Sequence, residues 1–172
     1  MSYNDLEKNI SYKFKNIELL DQALTHKSYN NKINNERLEF LGDSLLNAVV
    51  SQYLYERFST EKEGLLTRMR AHLVKAETLT QKAESLGLQD YIKLSKGTAN
   101  LSRDRKNSIL EDAFEAIIGA VFIDNGWIMA NSTILHLFKK EFAELSSDMT
   151  FKDSKTELQE YLQSMKLDLP DY

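Results

Sequence analysis

The chain has 172 residues, 42% of them hydrophobic, and a formal net charge of −4. That fits one globular domain with a real core and room for a short appendage. The absence of cysteine excludes disulfides, thiolate nucleophiles, zinc–thiolate fingers and iron–sulfur clusters, and agrees with a reducing, cytoplasmic location. The acidic balance argues mildly against a nucleic-acid partner, so the distribution of charge has to be read locally.

The N-terminus lacks a basic region followed by an apolar run, so no signal peptide is expected. No stretch is expected to approach the length of a membrane span, and no membrane partner is expected. Pro170 is the sole proline, and apolar residues recur at helical spacing almost throughout. The pattern predicts helices over roughly 4–10, 17–28, 36–58, 64–75, 76–86, 107–124, 128–145 and 154–165, hence an all-α fold. Asn16 and Asp153-Ser154 read as helix starts, Gly87 and Asn125-Gly126 as helix ends. Ser95–Asn107 reads as the one substantial polar loop, and Ser146–Lys152 as a linker.

The segment Glu36-Arg37-Leu38-Glu39-Phe40-Leu41-Gly42-Asp43 is unusual. On a helix, Glu36, Glu39, Phe40 and Asp43 share one face. A face that mixes acids with a bulky aromatic suits neither core nor plain solvent. A second acidic set, Asp112 and Glu115, lies in a strongly apolar helix; Glu111 points about 100° away from Asp112. Acids at helical spacing also describe an ordinary solvated face. The apolar flanks and one internal glycine in each helix, Gly42 and Gly119, favour something else. Glycine inside a helix costs about 1 kcal/mol relative to alanine and marks close backbone approach. The two helices are therefore expected to cross near the acids, although two unrelated packing glycines would give the same pattern.

Grouped carboxylates repel one another unless a cation neutralises them, and a hard divalent ion such as Mg²⁺ suits all-oxygen ligands. One or two such ions would serve an in-line phosphoryl displacement. His26, His72 and His136 lie far apart in sequence and form no ligand set. His26 is set apart by its place in the polar knot Thr25-His26-Lys27-Ser28.

The motif Glu36–Asp43 resembles the signature of the ribonuclease III family. Ala23–Ser28, Glu63-Gly64 with Arg68–Ala71, and Ser108–Glu115 with Gly119–Asp124 match the family's other segments in the right order, over roughly residues 20–126. Lys152–Gln163 resembles the opening helix of a double-stranded RNA-binding domain. The resemblance implies an endonuclease domain at 1–146, a linker at 147–152 and the start of an RNA-binding domain at 153–172, cut short after its first helix. That shortening implies weakened RNA binding with the catalytic machinery intact.

The resemblance further implies a homodimer that cuts double-stranded RNA with Mg²⁺, with Mn²⁺ able to substitute. Products would carry 5′-phosphate and 3′-hydroxyl ends with short 3′ overhangs, as in the processing of rRNA, mRNA and small-RNA precursors. It places Glu39, Asp43, Asp112 and Glu115 as catalytic metal ligands, Glu36 and Glu63 as further acids of the cleavage valley, and Phe40 in a pocket of the partner subunit. Of the basic residues at 62–75 (Lys62, Arg68, Arg70, Lys75) and 93–106 (Lys93, Lys96, Arg103, Arg105, Lys106), the trio Arg103, Arg105 and Lys106 is the candidate RNA contact. A catalytically silent relative and an all-helical nucleotide pyrophosphohydrolase are the competing readings.

Overall fold

The computed structural model of the chain describes residues 3–97 and 102–147, together with Leu162 and Met165. The helices are α1 (Asn4–Asn9), α2 (Ile17–Ala23), α3 (Glu36–Arg57), α4 (Glu63–Leu73), α5 (Ala76–Ser85), α6 (Arg103–Leu137) and α7 (Lys139–Glu144), with a 3₁₀ turn at Leu88–Asp90 before α6. Among the described residues there is no strand, and the all-α expectation holds. One isolated parallel bridge pairs Thr25 with Lys93. The expected linker and RNA-binding helix fall almost wholly outside the described residues.

The centre of the fold is the crossing of α3 and α6, with α2 and α5 also packed on α6 and α4 on α3. Leu46, Val50 and Leu54 of α3 are fully buried with Phe114, Ile117, Ile118 and Val121 of α6. Both glycines sit at this crossing. A Cβ on Gly42 would lie 2.6 Å from the Glu115 carbonyl carbon and 3.1 Å from the Gly119 nitrogen. A Cβ on Gly119 would lie 3.0 Å from the Leu38 carbonyl carbon. The approach is reciprocal, backbone on backbone, as expected from the paired glycines.

Local chemistry sets the helix ends. The Asn16 side chain accepts from Glu18 N at 3.0 Å and starts α2. α5 ends at Ser85, and two residues on Gly87, at φ 70°, takes the left-handed conformation that glycine tolerates. α2 stops at Ala23, short of the expected residue 28, because the chain turns away to pair with the segment after the 3₁₀ turn. Lys93 N donates to Leu24 O at 2.8 Å, and His26 N to Lys93 O at 3.2 Å.

α6 begins at Arg103, inside the expected loop, and runs through Asn125-Gly126 with a kink where those two residues leave helical geometry. Asp124, beside the kink, accepts from Lys15 N at 2.8 Å, Asn16 N at 2.9 Å and the Tyr12 hydroxyl at 2.6 Å. The kink thus anchors the connection between α1 and α2.

α6 also corrects the expectation about membrane-length segments: it is long and apolar enough, by length and composition, to cross a membrane. Its apolarity has a local use, since half of its most apolar window is buried inside the fold. α7 closes the far end. Phe142 stacks on Tyr53 with ring centroids 3.8 Å apart, and the Arg57 guanidinium donates to the Phe142 carbonyl. Beneath it the Lys82 ammonium is buried, 2.6 Å from Glu141, 2.6 Å from the Leu137 carbonyl and over the Phe138 ring.

Candidate active site

The α3–α6 crossing brings the two acidic sets together. Glu39 is half-buried, and burial lifts its carboxyl to about 7, with Asp112 and Glu36 adding repulsion. Burial lifts Glu115 to about 8, reinforced by Asp43, Glu111, Glu39 and Asp112. Asp112 is raised by burial and drawn back by His26 and Lys27. Glu111 is raised by burial, then by Asp112 and Asp43. The four expected carboxylates therefore share one electrostatic field. Glu111 joins them, because it lies one turn before Glu115 on α6 and is itself raised by the Asp43 charge.

Placement and ligation are different matters. Among the described residues, no three acid or histidine side chains are gathered closely enough to hold a metal ion as they stand. One reason is visible at Asp43, which is exposed and accepts from Asn47 Nδ2 at 2.8 Å along its own helix. The donor set still fits a hard cation in type: all oxygen, on two packed helices, with raised carboxyls at Glu39 and Glu115 that a cation would relieve.

The other expected residues divide. Glu36 opens α3 and pairs with Lys27, Nζ to Oε1 at 2.8 Å. Glu63 does not join the acids within this chain. It accepts from Thr67 Oγ1 at 2.8 Å and borders a groove with Ser51 and Tyr55, more than two turns beyond Asp43. Phe40 is 78% exposed, one turn before Asp43 on α3. Arg103, Arg105 and Lys106 are exposed in the first turn of α6 and not in a loop. Arg103 and Lys106 border a cleft of about 630 Å³ floored by Ile92 and Ile109. Lys93 leaves the basic cluster, since its ammonium lies 2.6 Å and 2.7 Å from the two Asp21 oxygens.

The polar knot before α3 is a built platform. Thr25 Oγ1 donates to Asp21 O at 2.7 Å, and Asn35 N to Thr25 O at 2.9 Å. His26 Nδ1 and Ser28 Oγ lie 2.9 Å apart, and Ser28 Oγ accepts from Ser95 N at 3.2 Å. The knot aims His26 and Lys27 at the acids, a neighbourhood that sequence spacing alone left unassigned.

A family model described as Ribonuclease-III-like matches residues 16–142 of the chain. This chain belongs to the ribonuclease III family. Ribonuclease 3 of Shewanella sp. (strain MR-7) is 49% identical over 165 residues, covering 96% of this chain and 73% of that protein. Ribonuclease 3 of Hahella chejuensis (strain KCTC 2396) is 45% identical over 167 residues, covering 97% of this chain and 74% of that protein.

Among solved structures, the nuclease domain of ribonuclease III from Campylobacter jejuni aligns with a TM-score of 0.78 at 44% identity, over 83% of this chain and 99% of that one. That work concerns flexibility in a region involved in dimer formation of the Campylobacter domain. Dicer from Pichia stipitis aligns with a TM-score of 0.60 at 28% identity, over 88% of this chain and 67% of that one. Family membership sets aside the pyrophosphohydrolase reading.

Proposed function

We propose that this ribonuclease III family enzyme is a homodimeric endonuclease that hydrolyses double-stranded RNA with Mg²⁺. The observation that carries the reading is the reciprocal glycine crossing, which sets Glu39 and Asp43 of α3 against Asp112 and Glu115 of α6. Those four residues would hold the cation, and Mn²⁺ would substitute. A bound divalent ion supplies Lewis acidity, making water a better nucleophile at neutral pH and offsetting phosphate charge.

The chain's own contribution is rigidity and electrostatics. The apolar flanks of both helices hold the carboxylates half-dry, so Glu39 and Glu115 retain protons near neutral pH until a cation displaces them. In the reaction, a water oxygen bonds to phosphorus as the P–O3′ bond breaks. The departing 3′ oxygen leaves as a hydroxyl and the phosphate stays on the 5′ end.

Duplex RNA is read by shape, phosphate and 2′-hydroxyl contact, for which Arg103, Arg105 and Lys106 are the candidates. The exposed Phe40 ring beside Asp43 supports a subunit contact at the site, in line with the dimer-forming region of the Campylobacter relative. The setting we propose is cytoplasmic processing of rRNA, mRNA and small-RNA precursors.

The test is to challenge the chain with duplex RNA, single-stranded RNA and free nucleoside triphosphates in Mg²⁺, then analyse product ends. Duplex-selective cutting to 5′-phosphate and 3′-hydroxyl ends with short 3′ overhangs is expected. Triphosphate hydrolysis with intact duplex would overturn the reading.

A further inference from the structure

We propose that Lys27 contacts the phosphate being cleaved, and that Glu36 is the positioning residue for Lys27 and not a metal ligand. The inference rests on the nuclease reading above and assigns two residues that reading leaves without a task.

The geometry begins with the platform. The segment carrying Lys27 is fixed by the Thr25–Lys93 bridge, by Asn35 N on Thr25 O at 2.9 Å and by the Gln22 amide on Asn34 O at 3.0 Å. His26 and Ser28 are engaged with each other, and the Lys27 ammonium is the permanent positive charge that the platform places beside the acids. It meets Glu36 Oε1 at 2.8 Å, one turn before Glu39 on the same face of α3. Its charge is felt by Asp112 of α6 as well as by Glu39. Lys27 therefore stands at the edge of both acidic sets.

A fixed ammonium beside carboxylates that would hold a cation is counterproductive for the cation itself, because like charges repel. It suits an anion that arrives with the cation. A phosphodiester gains negative charge on its non-bridging oxygens as water attacks, and a pre-placed ammonium stabilises that charge without transferring a proton. Glu36 suits the partner role. Its carboxylate opens α3 at the surface and is engaged by the Lys27 ammonium, Nζ to Oε1 at 2.8 Å. It thus serves as one half of an ion pair.

The experiment compares wild type, K27A, K27R and E36Q for duplex cleavage in Mg²⁺, with Mg²⁺ binding by calorimetry and unfolding temperature alongside. K27A is expected to lower kcat by about tenfold to a hundredfold with KM nearly unchanged, and K27R to restore most of it. E36Q is expected to lower kcat less, with Mg²⁺ affinity unchanged. Both side chains of the pair are more than half exposed, 60% and 51%, so unfolding temperatures should stay at the wild-type value.

Wild-type kcat in K27A would overturn the Lys27 assignment, and weakened Mg²⁺ binding in E36Q would return Glu36 to the metal. If wild type itself leaves duplex RNA uncut, the nuclease reading falls first and takes this inference with it. Slowed cutting in K27A that K27R restores, with Mg²⁺ binding and folding intact, supports it.

Discussion

Glu115 bears the largest upward shift among the acids, to about 8 from 4.5, with burial as the main cause and four neighbouring carboxylates behind it. A carboxyl whose folded value is raised lends stability below its unfolded value and loses it as pH rises through the folded one. The metal-free protein should therefore lose unfolding temperature as pH climbs from 4.5 to about 8, and Mg²⁺ should restore it. Glu115→Gln should flatten that slope; an unchanged slope in scanning calorimetry would contradict the placement of the acids. Asp43→Asn and Glu115→Gln should each reduce cleavage more than about a hundredfold while sparing the fold. The two acidic sets were legible because helical spacing and apolar flanks single them out, and the family resemblance narrowed them to four residues. Glu111 was not, because the angle that separates it from Asp112 says nothing of Asp43 on another helix. Lys27 was not, because its partner lies across a loop whose path depends on hydrogen bonds to Lys93, far along the chain.

At the scale of elements, the decisive contact is α3 on α6. Gly42→Ala would force a methyl group against the Glu115 carbonyl, and Gly119→Ala one against Leu38, with backbone on both sides and no flexible side chain to yield. Each should cost about 1–3 kcal/mol or more, read as a lowered midpoint in urea unfolding, and should lower cleavage with it. A neutral Gly42→Ala would mean that the helices have room to part. Asp124→Ala removes the acceptor of two backbone amides and a tyrosine hydroxyl and should destabilise by about 1–3 kcal/mol by the same assay. The crossing was readable from two glycines in apolar helices. Boundaries were less so. Residues 24–28 carry a helical pattern, but Leu24 O and His26 N take Lys93 as their partner, and tertiary contact overrides local preference. The break expected at Asn125-Gly126 between two helices is present as a kink, held by the neighbouring Asp124.

At the scale of the whole molecule, charge and exposure are uneven. The net charge of −4 conceals an acidic crossing and a basic first turn of α6, the division expected of a chain that brings cations and phosphate to one place. Cations at a helix N-terminus oppose the helix dipole, so Arg103, Arg105 and Lys106 cost local stability, which an RNA contact would offset. Phe40, 78% exposed beside the acids, should be buried between two copies of the chain. Sedimentation at micromolar concentration should show a dimer, and Phe40→Ala should shift it toward monomer; a wild-type monomer would count against the shared site. The central claim is that carboxylates from two crossing helices form a metal-dependent site for duplex RNA. Its most direct test is cleavage of a long RNA duplex by the pure chain with and without divalent ion. Cutting in Mg²⁺ or Mn²⁺, abolished by chelator and by Asp43→Asn, is the predicted result. A duplex left intact at low salt in both ions would contradict it.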